Sequence, residues 1–172
     1  MSAEPDGDDA PRTLLALYDE ALPVVYGYFV RRCPDRGTAE DLTSETFLAA
    51  MDAARREPSP PLSLPWLIGV ARHKLADHYR RRHDRFSVPV PEVPESGAVE
   101  DDWDAELDRI VAESVLARLP EPHRIVLALR YLDDCSVPEC ARLIGRTVHA
   151  TEALLVRARR AFRSHYPEGG HP

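Results

Sequence analysis

The chain has 172 residues and a formal net charge of -7, from 22 Lys and Arg against 29 Asp and Glu. This length allows one ordinary domain or two small ones, and 44% hydrophobic residues are enough to form modest cores. Taken alone, the acidic balance argues against nucleic-acid binding, because DNA-binding domains favour a basic surface. Neither a signal peptide nor an apolar run of membrane-spanning length is visible, so we expect a cytoplasmic protein with no membrane insertion.

Acidic and basic residues are segregated along the chain. The stretches 1–11 and 89–106 contain acidic residues and no basic one, whereas basic side chains gather in 72–85 and 142–163. Such asymmetry predicts two separate basic surfaces joined by an acidic segment. We expect a disordered acidic tail at 1–12, an acidic flexible linker at 87–105 and a short tail at 167–172.

The first half of the chain shows helical periodicity from about Thr13. The apolar residues that carry it are Leu14, Tyr18, Leu22, Val25 and Phe29. A second helix is predicted from Thr38, as its N-cap, to about Arg56. Its buried residues are expected to be Leu42, Thr46, Phe47, Ala50 and Ala54. The four prolines in 57–65 predict a loop, and the last of them, Pro65, suits the first turn of the next helix.

The helix after this loop has two different sides. Its apolar side is Trp66, Leu67, Val70, Ala71, Leu75 and Tyr79. Its polar side is Arg72, His73, Lys74, Asp77, His78 and Arg81. The cations suit phosphates, and Trp66 could stack on an unpaired base, but at this spacing a tryptophan is more often part of the core.

The second half also has a helical pattern, beginning at Leu107. Pro120 and Pro122 break it, and another short helix is predicted from Arg124 to Leu132. No strand signal and no internal repeat are visible anywhere in the chain. We therefore predict an all-α fold of two small helical domains joined by the acidic linker.

A helix-turn-helix pattern follows. Ser136 and Glu139 form a capping box at the start of a short helix, which ends at Gly145. A longer helix begins at Thr147 or His149. A short capped helix, a tight turn and a longer helix are the elements of a helix-turn-helix. The residues expected to pack between the two helices are Val137, Ala141, Ile144, Val148, Ala153 and Leu154.

The longer helix is predicted to face DNA. Residues expected to be exposed at its start, facing base edges, are Thr147, His149, Ala150, Thr151 and Glu152. Residues expected to bind phosphates are Arg146, Arg157, Arg159 and Arg160. The alternative interpretation is a solvated basic helix at the end of a helical bundle.

Several segments resemble a known family. LPEPHR at 119–124, with VLALRYL at 126–132, is similar to sigma region 4, in which a helix-turn-helix reads the -35 promoter element, and RARRA at 157–161 resembles the end of its recognition helix. AEDLTSETF at 39–47 resembles the sigma region 2 helix that docks on the polymerase clamp helices. WLIGVAR at 66–72 resembles the helix that melts and reads the -10 element. Two such regions, in this order and over nearly the whole chain, resemble the extracytoplasmic-function (ECF) sigma factors of the sigma-70 family.

The resemblance implies two domains, sigma region 2 at 13–86 and sigma region 4 at 106–166, and three binding surfaces. Those expected to bind core RNA polymerase, through its beta and beta-prime subunits, are Asp41, Leu42, Ser44, Glu45 and Leu48. Those expected at the melted -10 DNA are Ser59, Ser63, Trp66, Arg72, His73, Lys74, Asp77, Arg80 and Arg81. Those expected at the duplex -35 DNA are Arg146, Thr147, His149, Ala150, Thr151, Glu152, Arg157 and Arg160.

The resemblance also implies further features. The loop 59–64 would hold a flipped base, the acidic linker would thread through the polymerase, and an anti-sigma factor can hold such proteins inactive. Three positions depart from the family pattern, because Ser44 stands where Gln is common, His73 where Asn is common and Glu152 where a basic or amide residue is common. A carboxylate accepts from cytosine N4, so we expect the promoter sequence to be unusual.

The cysteines invite a different interpretation. The sequence has three, Cys33, Cys135 and Cys140, and an odd number gives no disulfide framework. Cys135 and Cys140 with His123 or His149 suggest a zinc or redox site, but their spacing fits no common zinc pattern. A buried structural cysteine is favoured for Cys140. We expect no metal, no cofactor and no catalytic residue, hence not an enzyme, because the polymerase supplies the chemistry.

Two other classes of function compete with this prediction. A stand-alone helix-turn-helix regulator would bind duplex DNA tightly without polymerase, and the acidic helix with Asp41 and Glu45 speaks against it. An interaction protein that sequesters a partner without touching DNA would bind independently of salt, whereas phosphate contacts weaken steeply with salt.

Overall fold

The computed structural model describes residues 9–56, 58–86 and 109–166. Every regular element in these ranges is helical, which confirms the predicted all-α class. The acidic linker predicted at 87–105 and the tail at 167–172 lie outside the described residues. Of the disordered tail predicted at 1–12, residues 1–8 also lie outside, whereas 9–12 are helical at the start of α1. The helices are α1 (Asp9–Val30), α2 (Arg36–Ala54), α3 (Leu64–Phe86), α4 (Arg109–Arg118), α5 (Glu121–Leu127), a π-helical turn (Ala128–Leu132), α6 (Val137–Ile144) and α7 (Val148–His165).

The chain divides into two compact units between Ala76 and Asp77, inside α3. In the first unit α1 packs against α2, where the rings of Tyr18 and Phe47 meet edge to face at 4.8 Å. All five predicted core residues of α2 are buried, which confirms its predicted inner face. The loop before α3 is irregular, and Pro65 lies in the first turn of α3, as its fixed backbone angle predicted.

The start of α2 differs from the prediction. Its N-cap is Asp35, whose carboxylate accepts hydrogen bonds from the Thr38 N–H at 2.8 Å and from the Thr38 hydroxyl at 2.9 Å. The prediction of Thr38 as the cap was wrong, because aspartate caps helices as well as threonine does and precedes it by three residues. Gly37 therefore lies inside the first turn of α2, which ends at Ala54 rather than near Arg56.

The second unit has a core from α4, α5, α6 and α7. Its buried apolar side chains include Val115, Leu116, Ile125, Val126, Leu129, Leu154, Leu155 and Phe162. Arg124 is also buried, and its guanidinium lies 3.4 Å from the carbonyl oxygens of Ala117 and Leu119. The last carbonyls of a helix lack partners within it, so this arginine closes the end of α4.

The segment predicted as one short helix at 124–132 begins earlier and changes type. α5 starts at Glu121, and Pro122 lies in its first turn. A proline is tolerated there because the backbone N–H that it lacks would have no partner within the helix. After Leu127 the helix widens into the π-helical turn, in which the Asp133 N–H donates to the Ala128 carbonyl at 3.0 Å. No local sequence pattern predicts this widening, which positions a side chain that contacts α7.

The helix-turn-helix is present as α6, a turn and α7. The predicted capping box forms, since the Glu139 carboxylate accepts from the Ser136 N–H at 2.8 Å and the Ser136 hydroxyl accepts from the Glu139 N–H. Gly145 ends α6 in the left-handed conformation, with φ of 70°. Of the two predicted starts of α7, Thr147 is the N-cap, and its hydroxyl accepts from the Ala150 N–H at 3.1 Å.

Gly145→Ala should destabilise the second unit by about 1–2 kcal/mol, because a Cβ at positive φ crowds the backbone carbonyl. Gly69→Ala is the matched control: Gly69 lies inside α3, nothing beyond its own stretch of helix lies within 4 Å of the added carbon, and alanine there should stabilise by about 0.5–1 kcal/mol. Urea unfolding of the full chain, followed by circular dichroism, measures both. Equal stability of Gly145→Ala and the parent chain would contradict the expectation.

Candidate functional site

The outer face of α2 carries most of the residues predicted to bind polymerase. Asp41 and Ser44 are exposed, and Leu48 is 60% exposed, all on the side opposite the buried residues. Leu42, predicted with them, is buried in the unit, so it holds α2 in place and presents no surface to a partner. Glu45 is half-buried, and its carboxylate lies 3.7 Å from the Lys74 ammonium on α3.

An open, mostly apolar groove of about 440 Å³ lies beside this face. Its lining residues are Leu22, Pro23, Tyr26, Glu40, Thr43 and Ser44. Met51, one turn beyond Leu48 on α2, is a further exposed apolar side chain. Exposed apolar surface with a polar rim is typical of a protein-binding face.

The residues predicted at the -10 element lie on α3 and the loop before it. Ser59 and His73 are exposed, whereas Ser63, Arg72 and Lys74 are half-buried. The Ser63 hydroxyl accepts weakly from the Trp66 N–H at the start of α3, at 3.4 Å. Farther along α3, Asp77 pairs with Arg80, and Arg81 is exposed.

The exposure of Trp66 is intermediate between that of a core residue and that of a fully accessible stacking residue. It is half-buried, whereas Leu67, Ala71 and Leu75 on the same helix are fully buried. The tryptophan thus lies at the edge of the first unit's core and keeps part of its surface accessible. Lys74 already pairs with Glu45 on α2. Sequence spacing could not reveal this contact between two helices.

The start of α7 differs from the prediction in its orientation. His149 and Glu152 are exposed as predicted, and Thr147 is exposed while capping the helix. Ala150 and Thr151 are 5% and 0% exposed, so the prediction that they face DNA was wrong. They continue the buried stripe of Leu154 and Ala158, and the Thr151 hydroxyl donates to the Thr147 carbonyl at 2.9 Å.

Two valines of α7 also differ from the prediction, one given the wrong role and one overlooked. Val148, predicted to pack against α6, is 43% exposed. Val156 was not singled out from the sequence, yet it is half-buried and lies four residues after Glu152 on the outer side of α7. Val156 continues the three- and four-residue spacing of His149 and Glu152, so this spacing would have identified it from the sequence. A valine there is suited to contact a thymine methyl group.

The predicted phosphate-binding arginines have different surroundings. Arg160 is exposed, whereas Arg157 is half-buried near His123, whose pKa is lowered first by burial and then by the positive charge of Arg157. Arg146 donates to the Tyr79 hydroxyl at 3.3 Å, within the second unit. Burial raises the pKa of Tyr79, so this phenol is protonated and neutral near pH 7.

The two cysteines of the helix-turn-helix region are buried, as predicted for Cys140. Burial, and next the neighbouring Cys135, raise the pKa of Cys140 to about 12. The Cys140 thiol donates to the Cys135 carbonyl at 3.8 Å. Because metals and electrophiles react with thiolates, a thiol kept protonated suits a structural role. Within the described ranges, no cluster of three or more His, Cys, Asp or Glu side chains is arranged to hold a metal ion.

Among the helices described for this chain, none combines the length and the apolar character that spanning a membrane would require.

Comparison with known families matches both halves of the chain. Residues 17–85 match Sigma-70 region 2, which includes α2, α3 and the loop between them. Residues 110–162 match Sigma-70, region 4, which includes the helix-turn-helix of α6 and α7. The two regions follow one another in the order that the sequence motifs predicted.

Full-length comparison finds curated relatives. ECF RNA polymerase sigma factor SigL of Mycobacterium tuberculosis is 33% identical over 159 residues, covering 86% of this chain and 85% of that protein. ECF RNA polymerase sigma factor BldN of Streptomyces coelicolor is 32% identical over 157 residues, covering 88% of this chain and 60% of that protein. The chain thus spans less than two thirds of the length of BldN.

One solved structure supports the fold. A chain of the co-crystal structure of the sigma factor RpoE with the anti-sigma factor NepR from Bartonella quintana matches with a TM-score of 0.52 and 19% identity, covering 90% of this chain and 96% of that one. Similarity at this level of identity concerns the fold alone. The family matches and the identity to SigL go further, and they show that the chain belongs to the ECF sigma factors of the sigma-70 family.

Proposed function

We propose that this chain binds core RNA polymerase and directs promoter-specific initiation of transcription by reading a -10 and a -35 element. The observation that carries the proposal is one chain with two different surfaces, the exposed acidic and apolar face of α2 and the helix-turn-helix of α6 and α7. A sigma factor needs both, because it joins a polymerase to a DNA sequence.

Core polymerase is proposed to dock on α2. Leu48 would enter an apolar site of the partner, while Asp41, Ser44 and Glu45 would pair with basic and polar groups around it. A central apolar anchor with a polar rim is the usual composition of a protein interface. Leu42 supports this surface from beneath.

The -10 element is proposed to bind along α3 and the loop before it. Arg72, Arg80 and Arg81 supply cations for the backbone of a melted strand, with Lys74 and Asp77 beside them. The exposed His73 can donate to a base edge, and the accessible part of Trp66 can stack on an unpaired base. Ser59 and Ser63 lie in the loop, where we place the flipped base.

The -35 element is proposed to bind the outer side of α7. His149, Glu152 and Val156 face the base edges, and Thr147 lies at the mouth of the groove. Ala150 and Thr151 shape the helix from its buried side. Arg146, Arg157 and Arg160 are proposed to contact phosphates, which fix the register without reading sequence. Arg146 donates one N–H to the Tyr79 hydroxyl, and its guanidinium has further N–H groups that can approach a phosphate.

The polymerase active site would carry out the chemistry, so we propose no enzymatic activity and no cofactor for this chain. We place it in the cytoplasm with the polymerase and the promoter DNA. An anti-sigma factor, the kind of partner present in the Bartonella quintana complex, would inactivate the chain by covering a polymerase-binding or DNA-binding surface. A stand-alone regulator is not favoured, because it leaves the match to Sigma-70 region 2 without a role.

The test is in vitro transcription with the full chain, purified core polymerase and a promoter library randomised in both elements. We expect specific transcripts only when the chain is present, from templates that share one -35 and one -10 sequence. In the same assay Glu152→Gln should relax the preference at one base pair of the -35 element, because an amide also donates. No specific transcripts, or tight binding of -35 duplex without polymerase, would rule the proposal out.

A further inference from the structure

We infer that Tyr131 is a positioning residue of the -35 reader, whose hydroxyl holds the Arg159 guanidinium where a DNA phosphate passes α7. This inference rests on the function proposed above and adds a residue that lies outside the helix-turn-helix. The bond between them joins the π-helical turn to α7: the Arg159 Nη1 donates to the Tyr131 hydroxyl at 3.1 Å.

The π-helical turn gives Tyr131 a defined place. The wider backbone is fixed by hydrogen bonds from the Asp133 N–H to the Ala128 carbonyl and from the Cys135 N–H to the Leu129 carbonyl, both of 3.0 Å. Widening by one residue rotates the side chains that follow it relative to those of α5. Tyr131, near the end of this turn, is half-buried and directs its hydroxyl to α7.

Arg130 adds a second constraint on the same ring. Its guanidinium lies over the Tyr131 ring at 5.6 Å from the centroid, and its Nη1 lies 3.5 Å from the Cys135 carbonyl. A cation over an aromatic face is attracted by the ring. The tyrosine is therefore held by its backbone and by a cation near its ring, which makes it a stiff support for Arg159.

The position of Arg159 on α7 suits a phosphate. It lies two helical turns after Glu152 on the same side of the helix. Seven residues advance about 10.5 Å along a helix axis, which exceeds the depth of about 8.5 Å of the major groove. Because the N-terminal residues of a recognition helix contact the bases, Glu152 at a base edge leaves Arg159 farther along the axis, toward the backbone at the rim of the groove.

A guanidinium that is already held in position binds a phosphate more tightly than a mobile one. Arginine loses rotamer freedom when it binds, and a support that fixes it beforehand lowers that loss. The guanidinium has five N–H donors in a planar fork, so one bond to a neutral phenol leaves it able to approach a phosphate. Tyr131 would act on DNA only through Arg159.

The experiment uses the holoenzyme and a fluorescein-labelled duplex carrying the -35 element recovered from the transcription library. Tyr131→Phe removes only the hydroxyl, and we expect about 2- to 10-fold weaker binding. Arg159→Ala should make the negative slope of log affinity against log salt shallower by about 0.9, the value for one phosphate. Tyr131→Phe should also make this slope shallower. Combined with Arg159→Ala, it should weaken binding no further.

Tyr166→Phe is the matched control, because Tyr166 stacks on Phe162 at the far end of α7, with centroids 5.7 Å apart. We expect it to leave affinity and salt slope unchanged. Arg159→Lys keeps the charge but loses the planar fork, and it should weaken binding less than Arg159→Ala. A Tyr131→Phe variant with unchanged affinity and slope, or with an effect that multiplies that of Arg159→Ala, would overturn the inference. Failure of the unsubstituted holoenzyme to bind the duplex would instead reject the proposed function.

Discussion

Leu48→Arg on α2 is expected to weaken binding to core RNA polymerase about 30-fold or more, with the fold unchanged. Leu48 is 60% exposed at the centre of the outer face, so the substitution breaks no internal packing. An apolar anchor in the middle of an interface commonly contributes 2 kcal/mol or more, roughly a 30-fold change in affinity. The new cation would also repel the basic partner groups that Asp41 and Glu45 are proposed to meet. Interferometry with immobilised core enzyme measures the loss.

Leu15→Arg is the control for this substitution. Leu15 is 74% exposed near the start of α1, so the substitution replaces a leucine at least as accessible as Leu48, on another helix, with the same cation. We expect its affinity for core polymerase to stay within twofold of the parent chain. If Leu15→Arg lost as much affinity as Leu48→Arg, the effect would come from charge in general, and the α2 interface would be rejected.

Phe29→Ala should destabilise the first unit by about 3–5 kcal/mol, the usual cost of emptying a buried aromatic site. Phe29 is fully buried in α1, and its ring meets that of Tyr28 edge to face at 5.4 Å. Urea unfolding, followed by circular dichroism, should show an earlier transition for about half of the helical signal. The second unit has its own core, so we expect its transition to be retained.

Val30→Ala, one residue along α1, is the control for the loss of an aliphatic contact. Val30 is exposed, so its truncation should change the free energy of unfolding by less than about 0.5 kcal/mol. A Phe29→Ala chain with the same transition as the Val30→Ala chain would mean that Phe29 is no part of a tightly packed core.

The sequence determined the helices whose signals are local. The capping box of Ser136 and Glu139 and the glycine end of α6 depend on side chains within a few residues, so both were predicted correctly. The inner face of α2 was also predicted, because four apolar residues and Thr46 share one helical period. The cap of α2 was missed, since Asp35 and Thr38 can each cap a helix and local signals do not rank them.

The residues on the outer side of α7 could be identified only from the tertiary structure. With a start at Thr147 or His149 left open, Ala150 and Thr151 could be assigned to either side, because each residue turns the helix by about 100°. Packing against the core of the second unit decided the matter, burying both residues and leaving Val148 outside. Which residues of α7 are available to DNA therefore depends on which side of the helix packs against the core.

By itself, the sequence thus determined an all-α chain with two sigma regions, since helical periods, caps and turns are written in neighbouring residues. Only the tertiary structure decided which side chains meet across elements. It pairs Lys74 with Glu45 on another helix and brings Tyr131 to Arg159 across 28 residues. Such contacts depend on how helices pack and on a widened turn whose local sequence gives no sign of it.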